Sequence, residues 1–267
     1  MRNPYFIDEP AAISFSGGRT SAFMLYKILE AHGGTLPDCV KVTFANTGKE
    51  MPETLDFVQR CSEEWGVEIV WLEYQGGKKS DQPKVVDYKT ASRNGEPFAR
   101  LIEDKSFLPN GVMRFCTQEL KIIPIEKYMN GSFLTVVGIR ADEPRRVAKQ
   151  RSKADYLVPL ADAGVSVQDV RDFWAMQNFG LELPMMPSGV SNASNCDLCF
   201  LKGSGIRLSI IREKPSLADW WIEQERKIGG RFHKDQPAYE KMKVIATDQG
   251  NLFDFADDES IPCFCGD

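Results

Sequence analysis

Histidine is nearly absent: His32 and His233 are the only two in 267 residues. That leaves no HExxH metal motif, no histidine-rich metal site and little basis for a Ser-His-Asp triad. Long apolar runs are missing as well, and nothing approaches the roughly 20 residues of a membrane-spanning helix. The opening MRNPYFIDEP carries acids and proline where a secretory leader would be apolar, which predicts a cytoplasmic chain with no membrane partner. Basic excess is lacking too. A net charge of −5 excludes a protein that coats nucleic acid by bulk electrostatics, while leaving room for a local basic patch. There is no internal repeat and no low-complexity tract.

What is present is an alternation of strand and helix signals. Apolar runs at 11–15, 40–45, 67–74, 133–139 and 155–160 predict strands, and amphipathic stretches after Ser16, from Pro52, at 120–129 and at 166–177 predict helices between them. Such alternation predicts an α/β fold: a doubly wound, mostly parallel sheet with helices on both faces. The stretch GGKKSDQPK (76–84) predicts a polar, mobile connection. Past about residue 180 prolines, serines and asparagines crowd the chain before a helical SLADWWIEQERKIGG. The expected organisation is a nucleotide-binding domain over 1–180 and a mainly helical, cysteine-bearing appendage over 181–267, anchored by Trp220, Trp221, Phe232, Tyr239 and Phe253.

The first strand runs into SFSGGRTSA (14–22). A glycine-rich turn at the carboxyl end of a strand, opening a helix, presents backbone N–H groups to an anion. Gly17 and Gly18 allow close approach of a phosphate, Ser16, Thr20 and Ser21 offer hydroxyls, and Arg19 offers charge. The spacing and lysine of a Walker loop are absent.

SGGRTS resembles the SGGxxS loop of the PP-loop ATP pyrophosphatase superfamily, and further segments resemble its adenylyl-sulfate and phosphoadenylyl-sulfate (PAPS) reductase branch. These are NTGKEMPETLDFV (46–58), RFCTQELKIIPIEKYM (114–129), VVGIRADEPRR (136–146) and PLADAGVSVQDVRDFW (159–174), in the family's order. The resemblance implies an adenine-nucleotide site on Ser16, Gly17, Gly18, Arg19, Thr20, Ser21, Thr47, Gly48, Gly138 and Arg140, with Lys121, Arg145 and Arg146 as further candidates. The ligand it implies is ATP with Mg²⁺, or PAPS or adenylyl sulfate in its place. Two departures stand out: the loop's aspartate is Thr20, and the tryptophan of the PLxDW segment is replaced by Ala163-Gly164.

Seven cysteines, an odd number, argue against a disulfide framework and for metal or thiol chemistry. The CxxC at Cys196 and Cys199 suits zinc, an iron–sulfur cluster or a redox pair. Iron–sulfur members of the reductase branch combine cysteines in the RxC segment with a CxxC about 80 residues on; Cys116 and Cys196 keep that separation. Here Thr117 replaces the second of two adjacent cysteines. The resemblance therefore implies one [4Fe–4S] cluster on Cys116, Cys196, Cys199 and either Cys263 or Cys265, with structural zinc on the same sulfurs as the rival. Cys39 and Cys61 are expected to be small buried hydrophobes. Cys265-Gly266 also resembles the core of the ECGxH tail that carries the reductases' nucleophilic cysteine.

Three functions follow. The first is ATP-dependent adenylation of an acceptor with pyrophosphate release for sulfur transfer, with Arg140 acting at the α-phosphate. The acceptor would be tRNA or DNA, met by the basic stretch 139–153, and a sulfur- or electron-donor protein is an expected partner. The second is thiol-dependent reduction of PAPS or adenylyl sulfate with Cys265 as nucleophile. The third is a nucleotide-binding module without chemistry.

Overall fold

The computed structural model describes residues 3–77, 82–183 and 196–248. Strand β1 (Ala11–Ser14) leads into α1 (Arg19–Ala31), β2 (Val40–Asn46) into α2 (Pro52–Trp65), and β3 (Ile69–Glu73) is followed by β4 (Lys84–Val86) and α3 (Glu96–Lys105). A continuous helical stretch comes next: a turn α4 (Phe115–Thr117), a π-helical segment (Gln118–Ile122) and α5 (Ile123–Met129). Then come β5 (Leu134–Val137), α6 (Pro144–Arg151), the two-residue β6 (Tyr156–Leu157), α7 (Pro159–Asp162) and α8 (Val167–Ala175). Helices α9 (Ser204–Glu213), α10 (Leu217–Ile228) and α11 (Tyr239–Asp248) complete the described chain.

The six strands form one sheet in the order β4-β3-β2-β1-β5-β6, all parallel except β4, which pairs antiparallel with β3 at the edge. The α/β class predicted from the alternating pattern is therefore the observed one. Ala11 and Ile13 of β1 face a core shared with α1, α2 and α8, while Ala12 faces the opposite side with Val70, Leu72 and Ile125. Both faces being covered explains why the central strands read as apolar runs without alternation.

After β1 the chain winds one way to β2 and β3, and β5 then returns to the other side of β1. The β1/β5 boundary is thus the topological switch point, where a doubly wound sheet leaves a crevice outside its strand ends.

The C-terminal helices have their own apolar cluster, built on Trp221, Phe232, Tyr239 and Met242, which also takes in Phe98, Leu101 and Ile102 of α3. This cluster packs the C-terminal helices on α3.

Three expectations differ from what is observed. The apolar run 155–160 gives only the short β6, because Pro159 at the first position of α7 turns the chain helical. Lys84, at the end of the stretch expected to be a mobile connection, is in β4. Cys39 is exposed, in the turn ahead of β2, whereas Cys61 is fully buried as expected.

Candidate nucleotide site and cysteine turn

The glycine-rich loop lies at the switch point. Gly17 has a φ of 77°, and a Cβ there would stand 2.6 Å from Thr54 Cγ2, so both backbone and packing on α2 require glycine. Gly18 is the N-cap of α1, and no side chain caps the helix. Its first-turn N–H groups lack intrahelical acceptors, and Ser21 of that turn lines the cleft beside the loop. The Ser21 hydroxyl donates to the Gly18 carbonyl (3.0 Å) and lies 2.9 Å from Ser16 Oγ, so it braces the loop.

Around the loop, Ser14, Phe15, Ser16, Ser21, Ala45, Lys121, Val137 and Gly138 line a narrow cleft of about 30 Å³ that opens to solvent. Gly138 ends β5 against α1, where a Cβ would meet Ser21 Cα at 3.1 Å. From the next turn, Arg140 Nη1 donates to Thr20 Oγ1 (3.2 Å) and Nε to Asp142 (2.9 Å). The guanidinium therefore stands at the head of α1, with its orientation fixed by a carboxylate. Burial pushes the Asp142 carboxyl up, but the Val167 N–H and Arg140 more than offset this and hold it below the ordinary value.

Not every expected residue turns toward the cleft. Arg19 directs its guanidinium to the Leu181 carbonyl (2.8 Å), and its own carbonyl accepts the Trp174 indole N–H (2.9 Å). Thr47 and Gly48 sit deeper, in a loop pinned by Asn46 Oδ1 to the Gly48 N–H (3.1 Å) and by the Gly95 N–H to the Gly48 carbonyl (2.8 Å). Asn46 is itself held by the buried Glu73, which also accepts from Ser92. Thr47 donates to Glu50 (2.8 Å) and lies 3.6 Å from Cys196 Sγ, so this loop meets the cysteine turn rather than the phosphate loop.

The CxxC turn is held against that loop at several points. Glu50 and Cys196 form an isolated antiparallel bridge, the Asp197 N–H donates to the Lys49 carbonyl (2.7 Å), and Lys49 Nζ is 2.8 Å from Asp197 Oδ2. Trp221 Nε1 donates to Asp197 Oδ1 (2.8 Å) and Tyr239 Oη to the Leu198 carbonyl (2.5 Å). Cys196 and Cys199 are buried, and Cys116, half-buried, packs against the same apolar cluster. Burial, and after it Glu50, raises the Cys196 thiol well above its ordinary value, with Lys121 and Thr47 opposing.

Among the described residues no three His, Cys, Asp or Glu side chains converge as a metal site, and Cys263 and Cys265 lie outside those residues. The donor chemistry of the turn nonetheless suits a thiolate-bound metal, since shielded cysteines favour zinc or iron–sulfur centres, and the nearby Asp197 carboxylate is committed to Lys49, Trp221 and the Leu198 N–H.

Lys121 links the two regions: it lines the cleft, lies 3.8 Å from Glu50, and occupies the π-helical segment, a distortion frequent at functional positions.

Sequence reasoning did not single out Lys49, Glu50, Asp197 or Arg207. Arg207 is fully buried on α9, and none of its three guanidinium nitrogens has a hydrogen-bond partner among the described residues. One signal could have found it: the arginine falls three and four residues before Ile210 and Ile211, on the apolar stripe of its helix.

Two relatives carry names that add no function. The chain is 32% identical over 203 residues to an uncharacterized nin region protein of Escherichia phage lambda, covering 72% of this chain and 66% of that one. It is 27% identical over 157 residues to an uncharacterized protein of Methanocaldococcus jannaschii, covering 57% of this chain and 27% of that one. The chain thus spans just under two thirds of one relative and about a quarter of the other. Residues 10–155, more than half the chain and including the loop, the cleft and Arg140, match the phosphoadenosine phosphosulfate reductase domain, and the chain belongs to that family.

Proposed function

We propose that this protein binds ATP with Mg²⁺ in the switch-point cleft and adenylates an acceptor for sulfur transfer, with a [4Fe–4S] cluster beside the nucleotide. The observation that carries the reading is the uncapped α1 N-terminus with Arg140 fixed above it, an arrangement built for polyphosphate. Its chemistry balances simply. An acceptor nucleophile attacks the α-phosphorus, the bond from that phosphorus to the bridging oxygen breaks, and pyrophosphate leaves with the electron pair. Hydrosulfide from the donor protein then forms a bond to the activated atom of the acceptor, the bond from that atom to the adenylate oxygen breaks, and AMP leaves with the electron pair.

The chain's own residues would act mostly by position. First-turn N–H groups of α1 hold phosphate oxygens, and Arg140 neutralises charge that grows on them in the transition state. Lys121 reaches the same cleft from the opposite wall. Cys116, Cys196, Cys199 and one tail cysteine would hold the cluster, which when bound supplies electron transfer or an iron site for sulfur. The basic residues of α6, Arg145, Arg146, Lys149 and Arg151, would face a tRNA or DNA acceptor, and a donor protein would supply sulfur or electrons.

The second reading is reduction of PAPS or adenylyl sulfate to sulfite, with Cys265 as the attacking thiol. The domain match over 10–155 favours it. Anaerobically purified protein titrated with ATP and Mg²⁺, with adenylyl sulfate and with PAPS separates the two. Preference for ATP, followed by pyrophosphate release with a nucleic-acid acceptor, supports adenylation. Preference for a sulfated nucleotide with sulfite release sinks it in favour of the reductase.

A further inference from the structure

Arg207 is a cation sealed in an apolar cluster. It is 0% exposed, and among the described residues Nε, Nη1 and Nη2 make no hydrogen bond, leaving the Tyr239 side chain and the charge of Glu225 as partial compensation. Burying a charge without a partner is among the costliest arrangements a fold can hold, and an orphan of this kind in a native protein points to a group that fills the site when the molecule works.

Its surroundings say what that group is. The guanidinium lies 5.4 Å from the ring of Tyr239, whose hydroxyl donates to the Leu198 carbonyl inside the Cys196–Cys199 turn. Cys199 is close enough for its charge to act on the same tyrosine. The carboxylate within reach is Glu225, but it forms no ion pair with Arg207; its two oxygens accept the backbone N–H groups of Phe232 and Tyr239. Two other buried cations lie near the turn, and both are engaged: Lys49 is paired with Asp197, and Lys202 Nζ donates to the Asp197 carbonyl (3.0 Å).

With the cysteines as neutral thiols, the guanidinium is compensated only by the Tyr239 ring and by the charge of Glu225, whose oxygens are held by backbone N–H groups. As thiolates on zinc or on a [4Fe–4S] core the cysteines form a centre of net negative charge in the same apolar cluster.

We propose that Arg207 is the built-in counter-charge and N–H donor for an anionic, thiolate-ligated metal centre on the Cys196–Cys199 turn. It is a positioning residue, not a ligand. The inference rests on the cluster part of the functional reading and is independent of which nucleotide the cleft takes.

The test compares full-length protein with its Arg207→Met and Arg207→Lys variants. Each is metal-free, loaded with Zn²⁺, or reconstituted anaerobically with ferrous iron and sulfide. Thermal unfolding, iron and sulfide content, metal loss to a chelator and the reduction potential of the reconstituted centre are read.

In the metal-free state Arg207→Met should unfold at the wild-type temperature or a few degrees above it, because a buried charge without a hydrogen-bond acceptor has been replaced by an apolar chain. In the loaded state the order should reverse, with metal lost at least about ten times faster and a more negative potential. Arg207→Lys, which keeps the charge without the planar fork, should hold the wild-type potential better than its metal.

Equal destabilisation of both states by Arg207→Met, with wild-type metal retention, would make the arginine a packing element and overturn the inference. Should the Met variant not fold, the Lys variant decides: wild-type metal retention and potential would overturn it as well. Wild-type protein that takes up neither iron nor zinc defeats the inference and the cluster reading together, while ATP binding on the same samples shows whether the nucleotide reading stands alone.

Discussion

Lys49 Nζ and Asp197 Oδ2 are 2.8 Å apart, with side chains 6% and 4% exposed, and they join the loop after β2 to the cysteine turn. Asp197 is also held by the Trp221 indole and by the Leu198 N–H, so its charge is well satisfied where it lies. Lys49→Met would leave that carboxylate buried without its cation and should cost about 3–5 kcal/mol, the range for breaking one side of a buried pair. Replacing both with apolar residues should restore part of the loss. Urea unfolding of the two single variants and the double variant checks this; additive effects would mean the pair is not coupled.

Gly17 and Gly138 constrain the phosphate loop in different ways. Gly17→Ala puts a side chain at φ 77° and 2.6 Å from Thr54, and should destabilise by about 1–3 kcal/mol with at least a tenfold loss of nucleotide affinity. Gly138→Ala meets the Ser21 backbone at 3.1 Å, where a shift of tenths of an ångström relieves the contact. It should cost less stability than Gly17→Ala but still weaken binding, because the shift moves the first turn of α1. Calorimetric titration beside thermal unfolding separates the two effects.

How much of this was legible without the fold depends on the range of the interaction. The strands containing Ile13, Phe44 and Val136, and the loop between Ser16 and Ser21, follow from local pattern: continuous apolar runs, and glycines beside hydroxyls at a strand end. Five helices, α3, α6, α7, α9 and α11, went unread. Helices α9 and α11 have a weak apolar period, with Arg207 on the buried face of α9, while α6 reads as a basic stretch and α7 is a single turn. By contrast, α3 carries a clear apolar face on Phe98, Leu101 and Ile102 that was there to be found. β4 escaped because it is three residues at a sheet edge. The site's second half was harder still. Thr47 and Gly48 read as phosphate-loop partners, yet their place beside Cys196 depends on α10 and α11 packing against α3, which no spacing between sequence neighbours encodes. The same is true of Lys49 with Asp197. A charge inside a glycine turn reads as solvated until the distant acid that buries it is known.

Trp174 clamps the loop through one bond, its indole N–H to the Arg19 carbonyl at 2.9 Å, while its ring packs on Phe57 and Phe179. Trp174→Phe keeps most of the ring packing and removes the donor. About 1 kcal/mol of stability should go with it, and nucleotide affinity should fall by several-fold as the first turn of α1 loosens. Amide exchange at Thr20 and Ser21, read by mass spectrometry or NMR, should quicken in the variant.

The Asp142 carboxyl titrates below its ordinary value of 3.8; burial opposes that shift, and the Val167 N–H and Arg140 outweigh it. The folded protein therefore binds this proton less readily than the unfolded chain does. The stability Asp142 contributes is present above 3.8 and is lost as pH falls through its lower folded value. The stability gap between wild type and Asp142→Asn, measured by urea unfolding at a series of pH values, should accordingly be widest near neutrality and close in acid. A gap that stays constant through the acid range would show that the carboxyl is not perturbed.

Arg140 distinguishes a group that merely binds from one that acts in the transition state. Its Nε is committed to Asp142 and its Nη1 to Thr20, so the guanidinium is oriented before any ligand arrives. A preoriented donor needs no reorganisation when charge builds on the phosphate, and losing such a donor costs on the order of 10²–10³ in turnover. Arg140→Lys retains the charge but cannot span Asp142 and Thr20 with one planar group. If Arg140 acts on the growing charge, the Lys variant should bind ATP within a few-fold of wild type yet release pyrophosphate at least about a hundred times more slowly. Asp142→Asn should show a smaller effect of the same kind, through looser aim. An Arg140→Lys variant that loses affinity and turnover in equal measure would instead place the guanidinium on the ground-state phosphates, as a binding contact alone.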